Sequence, residues 1–125
     1  MSAETIAPDK AAALVARHLD LFNEQDRAKR EQGMAAVYAT DLRFTDPHHQ
    51  SVGYEGYGDA ADALHARFRG FTLTKEGVAD VHHDLARFGW RLTSPEGPEI
   101  HGIDVIRFRD GLIADVAIFI DPLPA

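Results

Sequence analysis

The sequence predicts one α+β domain over residues 1–125, in which a curved, mostly antiparallel sheet wraps around N-terminal helices. Three observations support this fold class. Apolar residues recur at helical spacing in the first half and alternate in the second half, and no repeat or linker separates the halves. With 45% hydrophobic residues, a chain of 125 residues can bury one core. Helices followed by strands are typical of segregated layers rather than alternating βαβ units.

Two helices are predicted at the start of the chain. The first runs from Pro8, a favourable first-turn residue, to about Asn23. The second follows Asp26, whose side chain can cap the first backbone amides. The residues expected on the buried faces are Leu14, Val15, His18, Leu21 and Phe22 of the first helix and Met34, Val37 and Tyr38 of the second.

A short extended segment and a third helix follow. Apolar and polar residues alternate over Leu42–Asp46, and Pro47 disfavours a helical conformation for Asp46. We therefore expect this carboxylate at a strand end or in a turn. His48–Gly58 is interpreted as a loop, and the third helix is expected to begin near Asp59 and to end at Gly70.

From Phe71 onward the residues indicate strands. Turns are predicted at 94–97 and at Asp110-Gly111, and they separate long strands at 100–108 and 112–120. Two hairpins in series make an antiparallel meander, and long strands of this kind twist and should curl around the helices. The strand before the first turn alternates through Ala86, Phe88, Trp90 and Leu92.

Asp104 is the most informative residue of this sheet. Alternation places it on the same strand face as Ile100, Ile106 and Phe108, which should point inward. Burial there penalises the charged form, so the pKa of Asp104 should rise unless a cation pairs with it, and a protonated Asp104 could then donate a hydrogen bond to a ligand. A structural carboxylate that accepts bonds from backbone or a nearby Tyr is the alternative. His18, on the apolar face of the first helix, is more often a satisfied core residue than a catalyst.

Composition narrows the possible partners. The formal net charge is −7, which disfavours nucleic acid and anionic membranes as partners. The chain has no cysteine, no signal-peptide pattern at its start and no run of about 20 apolar residues, so a cytoplasmic protein is expected. Seven histidines include two adjacent pairs, but no metal-binding spacing appears, and neither a metal nor another cofactor is predicted.

Several segments together resemble the nuclear transport factor 2-like superfamily, and within it the SnoaL-like and ketosteroid isomerase-like proteins. The likeness covers nearly the whole chain and implies a cone-shaped, cystatin-like roll. It is carried by residues 17–23, by Ala39–Pro47 with its Asp-Pro end, by Phe88-Gly89-Trp90, and by Gly102–Phe108 with Asp110-Gly111 after it.

The resemblance also implies roles for three residues. Asp46 matches the base that removes a proton beside a carbonyl, and Asp104 matches the protonated carboxyl of the oxyanion hole. The oxyanion-hole Tyr of those isomerases is replaced by His18. A neutral His18 can donate one hydrogen bond, whereas a cationic His18 would pair with a carboxylate. This exchange argues against a faithful steroid isomerase.

Two functions fit these residues. The first is an isomerase or polyketide cyclase-like enzyme that acts on a small apolar carbonyl compound, with Asp46, Asp104 and His18 as catalytic residues. The second is a non-catalytic protein that binds a small hydrophobic metabolite. The predicted lining comprises Val37, Tyr38, Phe68, Trp90, Ile106, Phe108, Val116, Ile118 and Ile120.

A homodimer is predicted through the other face of the sheet. Apolar residues are expected there with no helix to cover them, unless loops or the N-terminal segment do so. This face is expected to carry His101, Ile103, Val105, Arg107, Ile113, Ala117 and Phe119.

Overall fold

A computed structural model describes residues 5–122 as three helices and one sheet of six strands. No helix within this part of the chain is long and apolar enough to cross a membrane. The elements are α1 (Pro8–Asn23), α2 (Arg27–Met34), β1 (Tyr38–Thr45), β2 (Gln50–Val52), α3 (Tyr54–Arg67), β3 (Thr72–His82), β4 (Leu85–Thr93), β5 (Ile100–Arg109) and β6 (Leu112–Ile120).

The first helix has the predicted bounds, and the second is shorter than predicted. Asp26 caps α2 by accepting hydrogen bonds from the backbone amides of Ala28 and Lys29. The placement of Val37 and Tyr38 on α2 was wrong, because α2 ends at Met34 and Tyr38 begins β1. The Val37 carbonyl accepts a hydrogen bond from the Ile113 amide at 2.8 Å, so pairing with β6 draws this segment out of the helix.

The segment predicted as a loop before Asp59 also contains regular structure. Residues 50–52 form β2 against β1, and α3 begins at Tyr54, five residues before the predicted start. Gly53 precedes the helix with φ of 95°, a conformation that favours glycine. The tertiary pairing of β2 with β1 and this glycine therefore set a boundary that local periodicity did not indicate.

The sheet has the order β2-β1-β6-β5-β4-β3. β1 and β6 are parallel and the other neighbours are antiparallel, which confirms the predicted α+β fold with a mostly antiparallel sheet. The inner face of β4 and β5 is buried as the alternation predicted, and the core lies between this face and the helices.

Ile113 lies on the inner face, although strict alternation predicted the outer one. It pairs with Phe108, whereas the next pair along the two strands is Arg107 with Asp115, so β6 contains one extra residue at Ala114. Such a bulge reverses the facing of every residue on one side of it. Ile113 is fully buried as a result.

Candidate active site

A cavity of about 310 Å³ opens between α3 and the inner face of the sheet. This size suits a small molecule rather than a polymer. Its wall is mostly apolar, and the ionisable side chains in it are Asp46, Arg67 and Asp104, with His48 and His49 beside them. The remaining lining residues are Phe22, Ala60, Ala63, Leu64, Phe68, Leu73, Trp90, Leu92, Ile100, Ile118 and Ile120.

Asp104 and His18 form a buried pair at this wall. β5 turns Asp104 inward, and the apolar face of α1 turns His18 toward it, so both side chains are almost completely buried. The Nε2 atom of His18 lies 2.9 Å from Oδ2 of Asp104. The other carboxyl oxygen, Oδ1, is buried and has no hydrogen-bond partner among residues 5–122. A buried polar atom without a partner is uncommon and indicates a place for a ligand or water.

Two tyrosines extend this pair into a chain of four polar groups. The hydroxyl of Tyr38 lies 2.5 Å from Nδ1 of His18 and 3.0 Å from the hydroxyl of Tyr57. Burial raises the pKa of Tyr38 well above its ordinary value, and burial likewise raises the pKa of Tyr57. Both phenols therefore keep their protons, and each has one hydrogen to donate.

The number of hydroxyl hydrogens favours one direction of hydrogen-bond donation along these four side chains. Either hydroxyl can rotate its hydrogen toward the other. If Tyr38 donates to Tyr57, the hydrogen of Tyr57 has no acceptor among the contacts of the described residues. If Tyr57 donates to Tyr38 and Tyr38 donates to Nδ1 of His18, every donor is satisfied. In this direction Nδ1 of His18 accepts a hydrogen bond and its Nε2–H donates to Asp104.

Asp46 lies at the end of β1, as predicted, and in the wall of the same cavity. Its Oδ1 accepts hydrogen bonds from the amides of His48 and His49 at 2.7 and 2.6 Å. The Nδ1 atom of His49 lies 3.0 Å from Oδ1 and 3.1 Å from Oδ2. The carboxyl oxygens thus act as acceptors in a tight turn that holds the group at the cavity edge.

The structure brings only part of the predicted site together. Asp46 and Asp104 share one cavity wall, whereas His18 lies behind Asp104 and outside the lining. Of the predicted lining residues, Phe68, Trp90, Ile118 and Ile120 contact the cavity. The others lie in the packed core and do not line it: Val37, Tyr38, Ile106, Phe108 and Val116.

Other lining residues were missed because the sequence does not show which end of the cone stays open. The inward residues of β5 and β6 all satisfy the same alternation, but only those toward one end reach the cavity. Leu64 and Arg67 come from the last turns of α3, inside the predicted helix, but the sequence does not show which of its turns faces the cavity. Phe22 could have been found, since it lies on the same apolar stripe as His18. Within residues 5–122, no cluster of three or more His, Asp or Glu residues could hold a metal ion.

Comparison with known proteins gives a family and several structural relatives. Residues 15–116 match the SnoaL-like domain. A proposed isomerase of the SnoaL-like family from Agrobacterium tumefaciens is 29% identical, with a TM-score of 0.83 over 91% of this chain and 99% of that chain. No curated protein matches by sequence.

Two further structures share the fold at lower identity. A proposed ketosteroid isomerase from Kribbella flavida has a TM-score of 0.70 at 21% identity, over 94% of this chain and 85% of that one. A proposed polyketide cyclase from Sinorhizobium meliloti has a TM-score of 0.72 at 14% identity, over 90% of this chain and 99% of that one. At these identities the likeness concerns the fold alone.

Proposed function

The chain belongs to the SnoaL-like domain family, and we propose that it is an enzyme that transfers a proton at the carbon beside a carbonyl group. Its substrate would be a small, mostly apolar compound, and the reaction an isomerisation or a ring closure. The observation that supports this proposal is the hydrogen bonding of the two carboxyl oxygens of Asp104. One of these oxygens contacts His18 and the other has no partner among residues 5–122, in the wall of an apolar cavity that also contains Asp46.

In the proposed reaction, Asp46 is the base. Its carboxylate takes the proton from the carbon, and the electrons of the C–H bond move to the carbonyl oxygen to form an enolate. The enolate then takes the proton back at a second carbon, which isomerises the substrate. Alternatively, its carbon attacks another carbonyl of the same molecule, which closes a ring, and the resulting alkoxide takes the proton from Asp46. The turn around His48 and His49 holds Asp46 in place at the cavity edge.

Asp104 would stabilise the enolate oxygen. In its protonated form the proton resides on Oδ1, because Oδ2 already accepts the Nε2–H of His18. Oδ1 can therefore donate to the developing oxyanion, in a cavity whose wall is mostly apolar. His18 acts through Asp104 in this scheme, as a positioning residue rather than as the second oxyanion donor that the resemblance implied.

The test is Asp46→Asn, with turnover measured on a panel of cyclic enones and polyketide-like ketones. Loss of the base should reduce turnover by about 10²–10⁴-fold. The matched control is Asp41→Asn, since Asp41 is an exposed carboxyl on the same strand that pairs with Arg109. Unchanged turnover in the Asp46 variant would rule out Asp46 as the base. Saturable binding of the same compounds without turnover by the wild type would instead favour a non-catalytic binding protein.

We also propose that the protein forms a homodimer through the outer face of the sheet. Ile103 and Phe119 pair across β5 and β6 on this face and are 38% and 59% exposed. Arg107 of the same strand face is paired with Asp84 within the chain, so this charge would not be left without a partner in a dimer interface. Sedimentation should show a dimer at micromolar concentration, and Phe119→Glu should yield monomers. A monomeric wild type at that concentration would contradict this.

A further inference from the structure

Trp90 occupies an unusual position beside Asp104. It lies on the inner face of β4, directly opposite Gly102 of β5, and Asp104 is two residues further along that strand. A Cβ atom at position 102 would lie 2.2 Å from Cζ2 of Trp90, so the indole covers the space that a side chain would need. Glycine at 102 thus allows the ring to lie across the strand. Diagonal neighbours in an antiparallel pair are close enough for an aromatic side chain to reach.

The indole N–H of Trp90 has no acceptor. Its Nε1 atom is buried and has no hydrogen-bond partner among residues 5–122, and Trp90 as a whole is only 5% exposed. Burying a donor without a partner is unfavourable, because the bond to water is lost and not replaced. Asp104 has the same property at Oδ1, and both residues line the cavity. Two unsatisfied polar atoms therefore lie on adjacent strands in one apolar wall.

We infer that the indole N–H of Trp90 is a hydrogen-bond donor to the ligand and acts with Asp104 on the same oxygen atom. His18 cannot be that second donor, because its two ring nitrogens are engaged with Tyr38 and Asp104. The indole N–H only donates, so the ligand atom at this position must be an acceptor such as a carbonyl, enolate or phenol oxygen. This inference deepens the proposed function and rests on it for the reaction, but it concerns binding and can be tested without turnover.

The chain has a single tryptophan, so its indole N–H gives one NMR signal that reports on this site alone. The probes are 2-naphthol, which carries a hydroxyl oxygen, and 2-methylnaphthalene, which has a similar shape without it. We expect 2-naphthol to move the indole proton downfield in a saturable manner, and 2-methylnaphthalene to bind without this shift. Binding by 2-naphthol that moves the Ile118 methyl signals but not the indole proton would overturn the inference. No saturable shift with either probe would remove the apolar ligand site, and the proposed function with it.

Replacement of the one tryptophan by 3-benzothienylalanine, in which sulfur takes the place of N–H, provides the matched variant. The ring keeps its shape, so folding and the affinity for 2-methylnaphthalene should stay the same. The affinity for 2-naphthol should fall by about 3- to 10-fold, the equivalent of one net hydrogen bond. Equal affinity of both proteins for 2-naphthol would overturn the inference.

Discussion

Two buried basic side chains, His18 and Arg30, each pair with an aspartate, but one pair lies at the candidate site and the other joins two helices. Both are completely buried, and each contacts one aspartate, Asp104 or Asp62. Arg30 donates from Nη1 to Asp62 at 2.8 Å and from Nε and Nη2 to the carbonyl of Glu24. Asp62 is 39% exposed, so water reaches the carboxyl that balances the buried charge.

In the pair formed by His18 and Asp104, the carboxyl is not exposed to solvent in this way. Asp104 is 1% exposed, and its Oδ1 is buried without a hydrogen-bond partner among the described residues. The Arg30 pair joins α2 to α3 with its hydrogen bonds satisfied, as expected of an interaction that serves stability. Asp104 differs because one of its oxygens has no hydrogen-bond partner within the described fold, so this oxygen can accept a hydrogen bond from a ligand or donate one to it. The Arg30 pair makes its hydrogen bonds within the protein. The comparison can be tested by substituting one residue of one pair at a time and measuring turnover and stability.

The largest difference in turnover is expected when each of the two aspartates is replaced by leucine, which has a similar branched shape and no polar oxygens. Asp104→Leu removes the proposed donor to the enolate oxygen and should lower turnover by about 10²–10³-fold. Asp62 lies outside the cavity, so Asp62→Leu should change turnover per folded molecule by no more than about twofold, while it destabilises the fold by leaving the buried Arg30 without its carboxyl partner. Steady-state kinetics of the two variants measure this difference. Equal turnover in both would place Asp104 with the structural pairs.

Arg30→Met should lower stability and leave turnover unchanged, the opposite of the effect on turnover expected for Asp104→Leu. It removes three hydrogen bonds between α2, α3 and the Glu24 carbonyl, so the free energy of unfolding should fall by about 1–3 kcal/mol. The partner Asp62 can be solvated after the change, which keeps the loss below that of a stranded buried charge. Urea unfolding measures the loss, while turnover per folded molecule should match the wild type. A loss of turnover without a loss of stability would show that this pair, too, serves the site.

The smallest effect concerns the pH dependence of stability. Burial raises the pKa of Asp62, but hydrogen bonds from Arg30 and Arg27 outweigh burial and hold this pKa below its ordinary 3.8. Because the folded pKa is the lower one, the contribution of Asp62 is complete above pH 3.8 and is lost as the pH falls through the folded value. At this exposure it should amount to about 0.2–1 kcal/mol.

Asp62→Asn measures this contribution. The stability difference between wild type and variant, taken from urea unfolding at a series of pH values, should be constant near neutral pH and shrink in acid. A difference that grows as the pH falls below 3.8 would contradict the assigned direction.

Much of the sheet could be predicted because its residues alternate locally. The bounds of α1 and the inward face of β4 and β5 follow from spacing alone, and both were predicted. The start of β1, the whole of β2 and the start of α3 were not predicted. These elements depend on the parallel pairing of β1 with β6 and on the pairing of β2 with β1, which no local pattern encodes. The bulge at Ala114 misled alternation for the same reason, since one extra residue changes the face.

The sequence by itself determined that Asp104 points inward among apolar neighbours, because successive side chains of a strand point to opposite faces. It also placed His18 on the buried stripe of α1. Only the tertiary structure decided that these residues, 86 positions apart, share a hydrogen bond, and that Tyr38 and Tyr57 complete a chain behind them. The unpartnered atoms of Asp104 and Trp90 are likewise visible only in the folded protein. Whether a polar atom is satisfied depends on every group that packs around it, and periodicity carries no information on that.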